Sequence, residues 1–244
     1  MLKKGIQKIL KKFGYQLTRA NNVAVPRNPF TMDRALGRMT TRGVEISTVI
    51  DVGASDGRWS RNCMRFFPEA AFLLVEAQAA HTKGLDEFKN ENSRVDYVLA
   101  AAGHEDGVIY FDDSQLFGGQ ASKEKEGANM KELPQVSLDN EINRRSLAGP
   151  FLLKLDTHGF EVPILQGASE ILRNTNLLII ETYNFKLTDT SLRYWEMCSY
   201  LDELGFAPIE NVDLMLRKKD GSFWQMDTFF VPKNHEVFSY NKYE

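Results

Sequence analysis

The chain has 244 residues, 43% hydrophobic and 26% charged, the make-up of one globular domain with an extension. That composition excludes a collagen-like chain, a disulfide framework and a largely disordered chain, and the two cysteines, Cys63 and Cys198, lack metal-ligand spacing. The net charge of −3 conceals an asymmetry: the first thirty residues hold seven Lys and Arg and no acid, so the body is acidic and unlike a dedicated nucleic-acid binder.

Residues 1–30 read as a basic amphipathic extension with a linker, and residues 31–244 as the folded domain. Leu2, Ile6, Ile9, Leu10, Phe13 and Leu17 recur at helical spacing with lysines on the opposite face. Two readings of this segment stay open: a peripheral contact of residues 1–19 with anionic lipid, or docking on the body or on a second subunit. Gly5 and Gly14 weaken an independent helix, and Asn21, Asn22, Pro26 and Pro29 end the segment. Without an apolar span or a signal-peptide core the expected compartment is the cytoplasm, at the inner face of the membrane on the first reading.

From residue 47 apolar runs alternate with helical patterns. STVIDVG precedes a helix through Trp59, Met64 and Phe67; AFLLVEA precedes one from Ala79 to Phe88. DYVLAAAG is a third run, and VIYF reads as a short added strand. FLLKLD precedes a helix from Glu161 to Leu172; NLLIIE precedes helical spacing from Leu192 to Leu204. FAPIE, LMLRK and MDTFFVP close the chain as strands that pair antiparallel for want of a crossover helix. Continuous apolar runs with intervening helices imply a parallel sheet buried on both faces. The segment from Asp112 to Leu133, rich in Gly, Ser, Lys and Glu, reads as a mobile loop.

Ligands of such sheets lie beyond the carboxyl ends of the strands. There stand Asp51 with Gly53, Ser55, Asp56 and Gly57, then Glu76, the turn from Ala101 to His104, and Asp156 with His158. The glycine loop has no P-loop lysine, and Asp51 and Asp56 repel a pyrophosphate, which disfavours a nucleoside triphosphate or a dinucleotide. Carboxylates and backbone amides suit a zwitterionic amino acid, and an acid at Glu76 can accept from both ribose hydroxyls. Together they describe S-adenosylmethionine. A bland alternative stands at each place: Gly53 and Gly57 as turn formers, Glu76 as a solvated strand end, the Ala101 turn as close packing.

VIDVGASDGRWS, FLLVEAQ and above all LLKLDTHGFEVPILQGASEIL followed by LLIIE resemble the FkbM family of S-adenosylmethionine-dependent methyltransferases, over roughly residues 45–232. The resemblance implies an α/β class I methyltransferase fold: a Rossmann-like, seven-stranded, mostly parallel sheet with an antiparallel last strand and helices on both faces. It implies methylation of a hydroxyl oxygen, and a cofactor site of Asp51, Gly53, Ala54, Ser55 and Gly57, Glu76 with Ala77, Ala101, and Asp156 beside the reacting centre. Two positions depart from the family: Ser55 stands where Asn is common, and His158 where Glu is usual.

An alcohol needs a base or a metal before it attacks a sulfonium. The catalytic set expected is His158 as base, Asp156 orienting it or the cofactor ammonium, and Glu181 against the acceptor. His158 as a helix-entry residue and Glu181 as a structural hydrogen-bond partner remain open alternatives. A divalent metal held by Asp156, His158 and Glu181 is conceivable but not favoured, because no compact ligand motif supports it. Tyr183, Phe185, Tyr194 and Trp195 are candidates for an acceptor wall, equally readable as packing. The resemblance points to a hydroxylated acceptor, a sugar of a cell-surface polysaccharide or glycolipid or a secondary metabolite. The competing class is a cofactor-binding partner subunit without turnover, and an oligomer stays open.

Overall fold

The computed structural model describes residues 28–116, 118–125 and 129–243. The basic extension at 1–19 and nearly all of its linker lie outside the described residues.

Seven strands form the main sheet: β1 (Thr48–Val52), β2 (Ala71–Glu76), β3 (Val95–Leu99), β8 (Phe151–Leu155), β9 (Thr175–Tyr183), β10 (Phe206–Leu216) and β11 (Phe223–Pro232). Their order is β10-β11-β9-β8-β1-β2-β3, with β11 antiparallel to both β9 and β10. β1 and β8 are buried at every position, as continuous apolar runs require of strands covered on both faces.

Alternation along the strands sorts the core into two layers. Val49, Phe72, Leu74, Leu152, Ile179 and Phe229 face α1 (Met32–Thr41), α2 (Arg58–Cys63) and α3 (Thr82–Glu91). Ile50, Leu73, Leu153, Ile180 and Phe230 face α4 (Leu138–Arg145), α5 (Glu161–Gln166), α6 (Ser169–Leu172) and α7 (Tyr194–Glu203). α1, unanticipated from sequence, buries Ala35, Leu36 and Met39 and is tied to β10 by Arg38 and Arg42, each 2.7 Å from Glu210.

Three expectations need correction. The region from Asp112 to Leu133 is no simple loop: β5 (Gly107–Asp112), β6 (Gln120–Ser122) and β7 (Met130–Val136) join β4 (Ala101–Ala102) in a second sheet ordered β4-β7-β5-β6. The VIYF strand belongs to this small sheet, which DYVLAAAG reaches by breaking at Ala100. The helix from Glu161 to Leu172 is two helices, broken at Gly167 and Ala168, and a Cβ on Gly167 would stand 2.1 Å from the Gly103 carbonyl oxygen. FAPIE and LMLRK merge into the single bulged strand β10. No helix among the described residues is long and apolar enough to cross a membrane.

Candidate active site

The carboxyl ends of β1, β2, β4, β8 and β9 converge on one cavity of about 420 Å³. Because β11 runs antiparallel, its first residues reach the same edge, and Gln225 pairs with Tyr183. The small sheet closes the opposite side with Phe111 on β5, Ala121 on β6, and Leu116, Gly118 and Gly119 between those strands.

At one end Glu76 is buried, and its carboxylate accepts the backbone N–H of Ser55 and of Gln78, each at 2.7 Å. Burial raises its pKa, and those two amides pull it back. Gly53 permits the tight crossing below: at φ +76 it lies so close to β8 that a Cβ would stand 2.1 Å from the Asp156 carbonyl oxygen. Ser55 follows at φ +51, a left-handed conformation in which Asn sits more easily than Ser, so Asn at this position in the family matches the backbone. Gln78 and His81 fasten the neighbouring segment: Gln78 Nε2 donates to the Gln115 carbonyl at 3.2 Å, and His81 Nε2 lies 3.0 Å from the Leu116 carbonyl.

At the other end Asp156, Thr157 and His158 follow β8. His158 also sits at φ +51, and its turn is held by buried Glu161, which accepts from the Gly159 N–H at 2.9 Å and the Thr157 hydroxyl at 3.2 Å. His158 Nε2 lies 3.9 Å from Asp156 Oδ1 and 3.7 Å from Glu181 Oε2. Glu181 accepts from the Tyr183 hydroxyl and from Gln225 Nε2. Burial, together with facing Asp156, pushes its pKa up to about 8. Burial would also raise Asp156, but the Lys154 ammonium 3.0 Å away outweighs it and holds the carboxyl below its ordinary value.

Of the sequence-derived cofactor residues, Gly53, Ser55, Glu76, Ala77, Ala101 and Asp156 line the cavity. Asp51, Ala54 and Gly57 do not. Asp51 is wholly buried on the sheet face toward α2, accepting from Ser60 Oγ at 2.7 Å with its other oxygen 3.7 Å from Lys154 Nζ. Alternation explains the difference: Val52 points to the cavity side, so Asp51, one residue earlier, points away from it. Gly57 caps α2 at φ +80, and its missing Cβ leaves room for Phe88 and Leu74. All three expected catalytic residues line the cavity. Gln78, His81, Met215 and Gln225 also line it and were missed: Gln78 and His81 follow Glu76 closely in the chain, whereas Met215 and Gln225 reach the site through the β10–β11 hairpin.

The residues present fit S-adenosylmethionine. Carboxylates stand at both ends, Glu76 keeping a free lone pair on each oxygen, while Ala101, Phe111 and Ile164 supply apolar wall between them. No Lys or Arg is found among the described lining residues, so a phosphate would lack a Lys or Arg counter-charge there.

The sequence profile of the Methyltransferase FkbM domain matches residues 51–208. The chain belongs to the FkbM methyltransferase family, whose members use S-adenosylmethionine. The crystal structure of Methyltransferase FkbM from Methylobacillus flagellatus KT superimposes with a TM-score of 0.51 at 16% identity, covering 75% of this chain and 43% of that chain. This chain thus spans less than half the length of that relative. The precorrin-6y C5,15-methyltransferase from Geobacter metallireducens GS-15 gives 0.46 at 10% identity, covering 85% of this chain and 92% of that one. A SAM-dependent methyltransferase from Aquifex aeolicus gives 0.43 at 12%, covering 92% and 98%. A comparison with curated protein sequences finds no match. The FkbM chain's fold is that of the class I methyltransferases.

Proposed function

We propose that this FkbM protein is an O-methyltransferase whose acceptor is a hydroxyl of a saccharide in a cell-surface polysaccharide or glycolipid. One observation carries the hydroxyl reading: Asp156, His158 and Glu181 each offer a donor atom within 4.8 Å of the others, at the end of the cavity away from Glu76. S-adenosylmethionine, when bound, supplies the methyl group as part of an already activated sulfonium. The chain's task is to align the acceptor oxygen and take its proton. His158 Nε2 takes that proton, and the ionised Asp156 beside the ring stabilises the imidazolium that forms, with Glu181 on its other side. Lys154 keeps Asp156 ionised for this role, while Tyr183 and Gln225 fix Glu181 against the acceptor side.

The same convergence favours a second reading, in which the three residues bind a divalent cation that acidifies the hydroxyl. The strand pairing of β8 with β9 assembles this set from positions that form no compact motif.

Calorimetric titration with S-adenosylmethionine and S-adenosylhomocysteine, on wild type, Glu76→Ala and Asp156→Ala, tests the cofactor site. Binding lost in both variants supports the reading, and no binding by folded wild type sinks it. Labelled methyl donor offered with hydroxylated saccharides tests the acceptor. Manganese titration of wild type and His158→Ala separates the two mechanisms: saturable binding lost in the variant favours the cation, and no binding leaves the base.

A further inference from the structure

Leu214, Met215 and Leu216 are consecutive on β10 and are 61%, 51% and 53% exposed. β10 is bulged here, with register shifts between Val212 and Met215 and between Met215 and Leu216, and all three side chains are left uncovered. Phe30, 61% exposed, joins them: its carbonyl accepts the Asp213 N–H at 3.1 Å, and Asp213 Oδ2 accepts the Met32 N–H at 3.0 Å. A second, shallow cavity runs between Asn28 and Phe30 on one side and Leu214, Met215 and Met226 on the other. Grouped apolar side chains on a surface mark an interaction site, whereas scattered ones do not.

The edge carries Asp213, and the turn beyond it brings more cations than acids. The turn beyond Leu216 carries Arg217, Lys218 and Lys219 against the single Asp220, and both lysines are exposed. The described residues begin at Asn28, at this same edge, so residues 1–27, with seven Lys and Arg and no acid, join the body here. Met215 lines the reaction cavity as well, which puts the apolar edge at the acceptor's entrance.

We propose that this edge docks on an anionic lipid surface, with Leu214, Leu216 and Phe30 entering the headgroup boundary and the lysines meeting its charge. A second copy is a poorer occupant, since apposing two such edges brings like charges together. The proposal deepens the reading above, because a lipid-borne saccharide presented at the surface would meet the cavity mouth beside Met215.

Co-sedimentation of the full chain with phosphatidylcholine vesicles, with and without phosphatidylglycerol, tests it. Wild type is expected to pellet with the anionic vesicles and to be released by salt; the Leu214→Glu/Leu216→Glu double variant is expected to lose about ten-fold or more in binding, with an unchanged circular dichroism spectrum. Equal binding by wild type and variant, or none by wild type, overturns the proposal. So does a dimer in sedimentation velocity that the variant dissolves while vesicles go unbound. Calorimetry with S-adenosylmethionine on the same preparations keeps the two readings apart: vesicle binding without cofactor binding counts against methyl transfer alone.

Discussion

The two ends of the cavity both place a glutamate near the carboxyl end of a strand, Glu76 buried and Glu181 half-buried, yet they hold it differently. Glu76 is gripped by two backbone amides, which cannot rotate away or exchange charge. Glu181 is gripped by side chains and faces another carboxylate, so its proton is contested. The cofactor end is a fixed dock, and the acceptor end is an adjustable set of titrating groups. Lys154 lies between them, 3.7 Å from Asp51 and 3.0 Å from Asp156, held charged by those acids and Asp227 although burial opposes it.

Removing that lysine breaks the comparison most severely. Lys154→Met strands Asp51 and Asp156 without their cation and is expected to cost about 3–5 kcal/mol in chemical denaturation. Adding Asp51→Asn recovers part of the loss if the buried charge is its cause. Next comes the acceptor end alone: His158→Gln is expected to lower kcat by about 10²-fold or more with cofactor affinity unchanged, by labelled methyl transfer and calorimetry. Weakened cofactor binding instead would erase the division into two ends.

The third test uses pH. Glu181 has a folded pKa of about 8, above its ordinary value, so the folded state binds the extra proton and the group's contribution to stability is lost as pH rises through that pKa. Glu181→Gln cannot ionise. Its melting temperature relative to wild type is therefore expected to rise from pH 5 to pH 8 and level off above. A difference flat across that window would show that Glu181 is not held protonated by the fold. The smallest effect belongs to the dock: Ser55→Asn, at φ +51, is expected to add about 0.5 kcal/mol of stability, read as a denaturation midpoint, without changing cofactor affinity.

Legibility in the sequence followed burial. The βα units around β1, β2, β8 and β9 were readable because each strand is covered on both faces and so carries an uninterrupted apolar run. The small sheet was not. β7 is mostly exposed or half-buried and contains Pro134, and β6 is three residues long, so neither leaves a hydrophobic signature. α1 escaped because only Ala35, Leu36 and Met39 mark its buried face. In the site, strand-end residues were legible by position, but Asp51 was misplaced because a one-residue shift along a strand changes the face. Gln225 was illegible for a different reason: its approach to Glu181 depends on β11 running antiparallel beside β9.

The break at Gly167 sets a unit of exchange for engineering. Gly167 rests on the backbone of Gly103 and His104, just past the Ala101–Ala102 wall, while the same helix begins with Glu161, which clamps the turn bearing His158. A graft that imports a relative's turn at 156–160 alone would seat it on a foreign support. Residues 156–167 and 101–104 form one cassette, to be transplanted together if a new acceptor preference is to arrive with its cofactor pocket intact.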